Sequence, residues 1–125
     1  MLATAVWSLA MAAVLVLALL PVEQLQLPIF NWWDKAQHAL AFALLSLGAL
    51  RLWPHRPLQV VFGMSLYGAA IEVMQWVVGW RFAEWADFGA DVVGVVVAYA
   101  ASIKLRLQWP PVVNANRPPS QGSPK

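Results

Sequence analysis

From Met1 to Val22 the chain carries no Asp, Glu, Lys or Arg. A helix of those 22 residues rises about 33 Å, enough to cross a hydrocarbon core of about 30 Å. A cleaved signal peptide would ask for a basic start and a small-x-small exit. This segment has no early Lys or Arg and ends Leu19-Leu20-Pro21-Val22, so it reads as a retained membrane helix. The rest of the chain agrees. It is 61% hydrophobic and 11% charged, where a soluble domain carries about a quarter charged residues. That composition excludes a disordered chain, and the absence of Cys excludes a disulfide scaffold and a Cys-ligated metal site. The sequence pI is near 9.4, but a net charge of +2 over 125 residues makes no phosphate-binding patch, so nucleic acid is not an expected partner.

Three further apolar stretches follow. Ala36 to Leu50 is short, but reaches spanning length if Trp33 to Trp53 is helical, with Asn31 as the N-cap and Asp34 at the third helical position. The next begins at Pro57, suited to a first turn, and runs to about Trp80 with Gly79 near its end. The last covers Trp85 to Leu107, where only Val92 to Ile103 is free of charge, so Asp91 and Asp87 fall in the polar margin of the membrane. The expected fold is all-α: a transmembrane bundle of four helices at about 3–22, 33–53, 57–80 and 85–107, up-down-up-down. Long runs without alternation exclude a transmembrane β-barrel. Residues 108–125, rich in Pro, Ser, Asn and Gln, read as a disordered tail.

With four spans, both termini and the middle loop share one side. That side holds Arg51, Arg56, Lys104, Arg106, Arg117 and Lys125; the other holds only Lys35 and Arg81. The positive-inside rule then places both termini on the cytoplasmic side. Trp32, Trp33, Trp80 and Trp85 mark the outer interface; Trp7, Trp53 and Trp109 mark the inner one. Every Asp and Glu falls on or near the outer side.

Those polar residues converge in depth. Asp34, Lys35 and His38 occupy the first turns of the second helix, with Asp34 and His38 on one face. Glu72 and Gln75 share a face late in the third helix, Arg81 lies in the next loop, and Asp87 and Asp91 open the fourth. Ionisable residues inside a span cost about 3 kcal/mol on insertion scales and face the bundle interior or water. The group reads as an outward polar pocket, with Arg81 or Lys35 as the cationic partner of Glu72. Simpler roles stand beside this one: helix caps for Asp34 and Asp87, a snorkelling Lys35, and interhelical hydrogen bonds for His38 and Gln75. Ala86, Ala90, Gly94, Ala98 and Ser102 recur every four residues on the fourth helix, a stripe that lets helix backbones approach closely.

The order Asp34-Lys35-x-x-His38, Glu72-x-x-Gln75, Arg81, Asp87-x-x-x-Asp91-x-x-Gly94 resembles the VanZ-like family of small bacterial membrane proteins, over roughly Trp33 to Ala100. The family often carries Asn where this chain has Asp91. The resemblance implies a protein of the cell envelope and a link to low-level resistance to the glycopeptide antibiotic teicoplanin; it brings no established catalytic activity.

Three functions fit these residues. One is a non-enzymatic envelope protein whose pocket binds a lipid head group, an envelope precursor or a glycopeptide, with the acids accepting hydrogen bonds and Lys35 and Arg81 holding a phosphate or carboxylate. Another is a membrane-embedded enzyme acting on a lipid phosphate, with His38 or Glu72 as base and Arg81 as clamp. The third is a proton-coupled carrier, which at this size would need to form a homo-oligomer. Acids plus His could also hold a divalent metal, but no dense ligand motif such as H-E-x-x-H is present, and no metal or other cofactor is expected. Binding is favoured over catalysis because no nucleophile or metal with an oriented base stands out.

Overall fold

A computed structural model describes residues 2–20, 30–79 and 84–108, with side chains for 2–20, 35–79 and 84–105. The described chain forms four helices and no strand: α1 (Leu2–Leu19), α2 (Phe30–Leu52), α3 (Pro57–Val78) and α4 (Trp85–Gln108). Helix α1 gives way to a bend at Leu20, and Asn31 stands inside α2 and not at its cap. Pro57 opens α3, where its missing N–H leaves no donor unsatisfied. Gly79 closes α3 in the left-handed conformation, φ 76°, with its N–H donated to the Gln75 carbonyl at 3.3 Å. The segment 109–125, expected to be a disordered tail, lies outside the described residues.

Side-chain contacts fix the directions. Trp7 Nε1 donates to the Leu45 carbonyl at 2.9 Å, and the Trp7 ring meets Trp53 edge-on at 5.2 Å, so the start of α1 lies beside the end of α2. Tyr67 Oη donates to the Met11 carbonyl at 2.6 Å, and Gln75 Nε2 to the Ala18 carbonyl at 3.0 Å, so α1 and α3 run parallel. Helices α2 and α4 also run parallel, opposite to that pair. The bundle is therefore up-down-up-down.

The α2–α4 interface is the largest in the fold, and small residues make it so. A Cβ on Gly94 would collide with the backbone carbonyl of Ala39, and would lie 3.0 Å from the Ala43 nitrogen. The two backbones touch there. Gly94 and Ala98 are buried and Ala90 and Ser102 half-buried, but Ala86 is exposed, so the packing stripe begins one turn later than its spacing suggests.

Three of the described helices, α1, α3 and α4, are long and apolar enough to cross a membrane. Helix α2 is longer than α1, but Lys35, His38 and Arg51 dilute its apolar character. Its position explains the tolerance: α2 touches α1, α3 and α4, and supplies Phe42, Leu45, Ala49 and Leu50 to the core. Helix α1 buries no residue, and Leu9, Leu44, Phe62, Leu66, Val73 and Val96 are exposed on the outer faces of all four helices. A surface this apolar is the mark of a protein solvated by lipid.

The Gly94–Ala39 contact makes a prediction. Gly94→Ala should cost about 1–3 kcal/mol of stability, the usual range for overpacking, read as a lowered midpoint of thermal unfolding in detergent. Gly63→Ala, where an added Cβ meets nothing within 4 Å, should leave the midpoint unchanged. Equal midpoints for the two variants would contradict the α2–α4 register.

Candidate functional site

The parallel register of α2 and α4 stacks polar pairs along one seam. Lys35 faces Asp87, His38 faces Asp91, and Ala39 with Ala43 receives Gly94. At the mouth, Lys35 Nζ donates to Asp87 Oδ1 at 3.1 Å and to Glu84 Oε2 at 2.8 Å. The Asp87 side chain is 7% exposed, whereas those of Lys35 and Glu84 are 41% and 53% exposed. The ammonium thus closes over a buried carboxylate and leaves its second partner in contact with solvent.

One turn deeper, His38 Nδ1 lies 3.0 Å from Asp91 Oδ1. Asp91 is wholly buried, at 0% exposure, and Glu72 retains only 8%. Glu72 comes from α3, six residues before its last helical residue, Val78, about 9 Å along the axis. Room for Asp91 comes from Gly68 on α3: a Cβ there would stand 2.9 Å from Asp91 Oδ2 and 3.3 Å from the Phe42 ring. One ligand atom each from His38, Glu72 and Asp91 lie within 4.8 Å of one another. Both Glu72 oxygens and Asp91 Oδ2 are buried with no hydrogen-bond partner.

One expectation needs correction on this geometry, the pairing of Lys35 with Glu72. Lys35 is committed to Glu84 and Asp87, so it is not the counter-charge of Glu72 and has no free ammonium to hold a phosphate. Gln75 is buried, and its amide joins α3 to the last turn of α1, where the Ala18 carbonyl has no partner within the helix. Asp87 lies in the first turn of α4, near the positive end of the helix dipole, and also carries the Lys35 bond. Asp34 belongs to α2, but its side chain lies outside the described residues, as does the whole of Arg81. Glu84 was legible as a partner: it is three residues before Asp87, on the same side of the entry to α4.

Two clefts flank the bundle. One, of about 410 Å³, lies between α3 and α4 and is lined by Ala69, Glu72, Val73, Trp76, Trp85 and Phe88. Among the described residues Glu72 is its one ionisable wall; the rest is apolar or aromatic. The other, of about 360 Å³, is at the opposite end around Trp7, Met11, Trp53 and Arg56 and contains no acid among the described residues. Only the first meets the buried cluster. No protein-family model, curated protein or solved structure matches the chain.

The Lys35 clamp can be tested directly. Lys35→Met should lower thermal stability in detergent, because it strands the buried Asp87 carboxylate. Adding Asp87→Asn to Lys35→Met should recover part of the loss. Additive losses in the double variant would show that the two side chains do not interact in the folded protein.

Proposed function

We propose that this is a VanZ-like integral membrane protein of the bacterial cell envelope that binds the head of a membrane amphiphile: a lipid, a lipid-linked envelope precursor or the lipid-bearing end of a teicoplanin-type glycopeptide. The observation that carries the reading is the α3–α4 cleft, in which an apolar, aromatic wall ends on the buried Glu72 carboxylate. Such a cleft has the size of a small-ligand site, which combines a mostly apolar lining with a few placed polar groups. The exposed Trp76 and Trp85 at its rim suit a chain lying along the bundle, with the head turned inward to Glu72.

In this reading all four helices cross the membrane, with the polar face of α2 turned to its neighbours and Leu40 and Leu44 to the lipid. The charge distribution supports an orientation with the acidic end outward. Arg51, Arg56 and Lys104 lie toward the end opposite to Glu72, Glu84, Asp87 and Asp91, and basic residues favour the cytoplasm. The cleft then opens to the outer leaflet, where envelope precursors and glycopeptides are met. Contribution to teicoplanin-type resistance follows as sequestration of the amphiphile and needs no chemical step.

Native mass spectrometry of gently solubilised protein tests the reading, alongside a reporter fused after Lys125. The wild type should retain one amphiphile per chain, and Glu72→Gln, folded to the same thermal midpoint, should retain at least tenfold less. The reporter should be active only in a cytoplasmic form. Undiminished retention by Glu72→Gln would remove Glu72 from the site, and a periplasmically active reporter would reverse the orientation.

A further inference from the structure

The cluster behind the cleft has an unusual balance. Among the described residues, four carboxylates (Glu72, Glu84, Asp87 and Asp91) gather around one ammonium, Lys35, which is already engaged by two of them. Glu72 and Asp91 are left with His38, and among the described residues neither Glu72 oxygen makes a hydrogen bond of good geometry. Burying an ionised carboxylate without a partner costs several kcal/mol. Two such groups side by side add mutual repulsion. Three buried oxygens without a hydrogen-bond partner, on two carboxylates more than nine-tenths buried, call for a group that can satisfy them.

We propose that His38, Glu72 and Asp91 form a binding site for one divalent transition-metal ion, of which Zn²⁺ is the closest match. The donor set is one imidazole nitrogen and two carboxylate oxygens. Imidazole selects against Mg²⁺ and Ca²⁺, which take oxygen ligands, and the absence of thiolate selects against soft ions such as Cu(I). Two carboxylates and a divalent ion cancel in charge, which suits a site enclosed by helices. Ligands of a tetrahedral zinc ion at about 2.0–2.2 Å stand roughly 3.3–3.6 Å apart. Donor atoms already within 4.8 Å reach that spacing through rotamer adjustments of about an ångström. The residues come from α2, α3 and α4, one from each, so no sequence motif announces them. His38 Nδ1 and Asp91 Oδ1 already stand 3.0 Å apart, close to the spacing of two donors on one tetrahedral ion.

Three protein ligands leave a coordination position open. Glu72 is shared between the triad and the cleft, so that position adjoins the cleft. A bound ion would neutralise the acidic pocket and offer its open position to an anionic head group, the task for which Lys35 is not free. The metal site itself does not depend on the amphiphile reading.

The test uses the full chain in detergent, stripped with chelator, and the ion alone as the probe. Titrated with ZnCl₂, the wild type should bind one Zn²⁺ per chain, retain it through desalting and unfold at a higher temperature. Glu72→Gln, Asp91→Asn and His38→Ala should each weaken binding at least tenfold, whereas Glu84→Gln, outside the triad, should bind as the wild type does. Substitution with Co²⁺ should give visible absorption bands of an N,O-ligated ion that vanish in His38→Ala. If a variant does not fold, the wild-type stoichiometry and the Co²⁺ spectrum still decide. No retained zinc, or zinc binding indifferent to all three substitutions, would overturn the site. Loss of amphiphile with zinc retained would overturn the proposed function and leave the metal site standing.

Discussion

The approach of Gly94 to the Ala39 carbonyl sets the geometry of everything above it. Only a residue without a side chain allows two helix backbones to touch. Once they touch in parallel, the residues one and two turns toward the acidic end are placed as well. Asp91 meets His38, and Asp87 meets Lys35. Gly68 does the same from α3, leaving the space that Asp91 Oδ2 fills and bringing Glu72 in at matching depth. Two glycines on neighbouring helices thus assemble a polar cluster inside a protein whose exterior is hydrocarbon-like.

That cluster divides into two layers with opposite electrostatics. The outer layer is satisfied: Lys35 answers two carboxylates in a region open to solvent. The inner layer is not, since among the described residues Glu72 and Asp91 hold buried oxygens without a hydrogen-bond partner. Folding alone gives no reason to keep such groups, because apolar side chains of the same volume would pack there at lower cost. Groups retained against stability are those a protein uses. The cleft ending on Glu72 and the metal-like spacing of its neighbours both follow from that inner layer.

Local signals were readable directly. Pro57 and Gly79 bracket α3, and the charge-free run at the start becomes α1. The small-residue stripe pointed to the close α4 interface, but could not show that Ala86 lies before the helices meet. Depth along each helix could be counted, so the gathering of Lys35, His38, Glu72, Asp87 and Asp91 at one end was visible in the sequence. Rotation about each helix could not, and it decides who pairs with whom. Lys35 sits at the mouth beside the entry to α4, while Glu72 lies about 9 Å down α3; the pairing suggested by charge fails on geometry. The central place of α2 was hidden for a related reason. A helix packed against three others need not be apolar on the faces they cover, and its sequence alone does not say how many neighbours it has.

The central claim is that the inner carboxylates are held for function at the expense of stability. The most direct measurement is the thermal midpoint of Glu72→Met in chelator-treated detergent solution, beside the wild type. Methionine keeps the length and flexibility of the side chain and removes its need for a partner. The account predicts a higher midpoint for Glu72→Met, together with loss of the stabilisation that added zinc gives the wild type. A lower midpoint would contradict it, since Glu72 would then be joining the helices, and the cluster would be a structural element of the bundle.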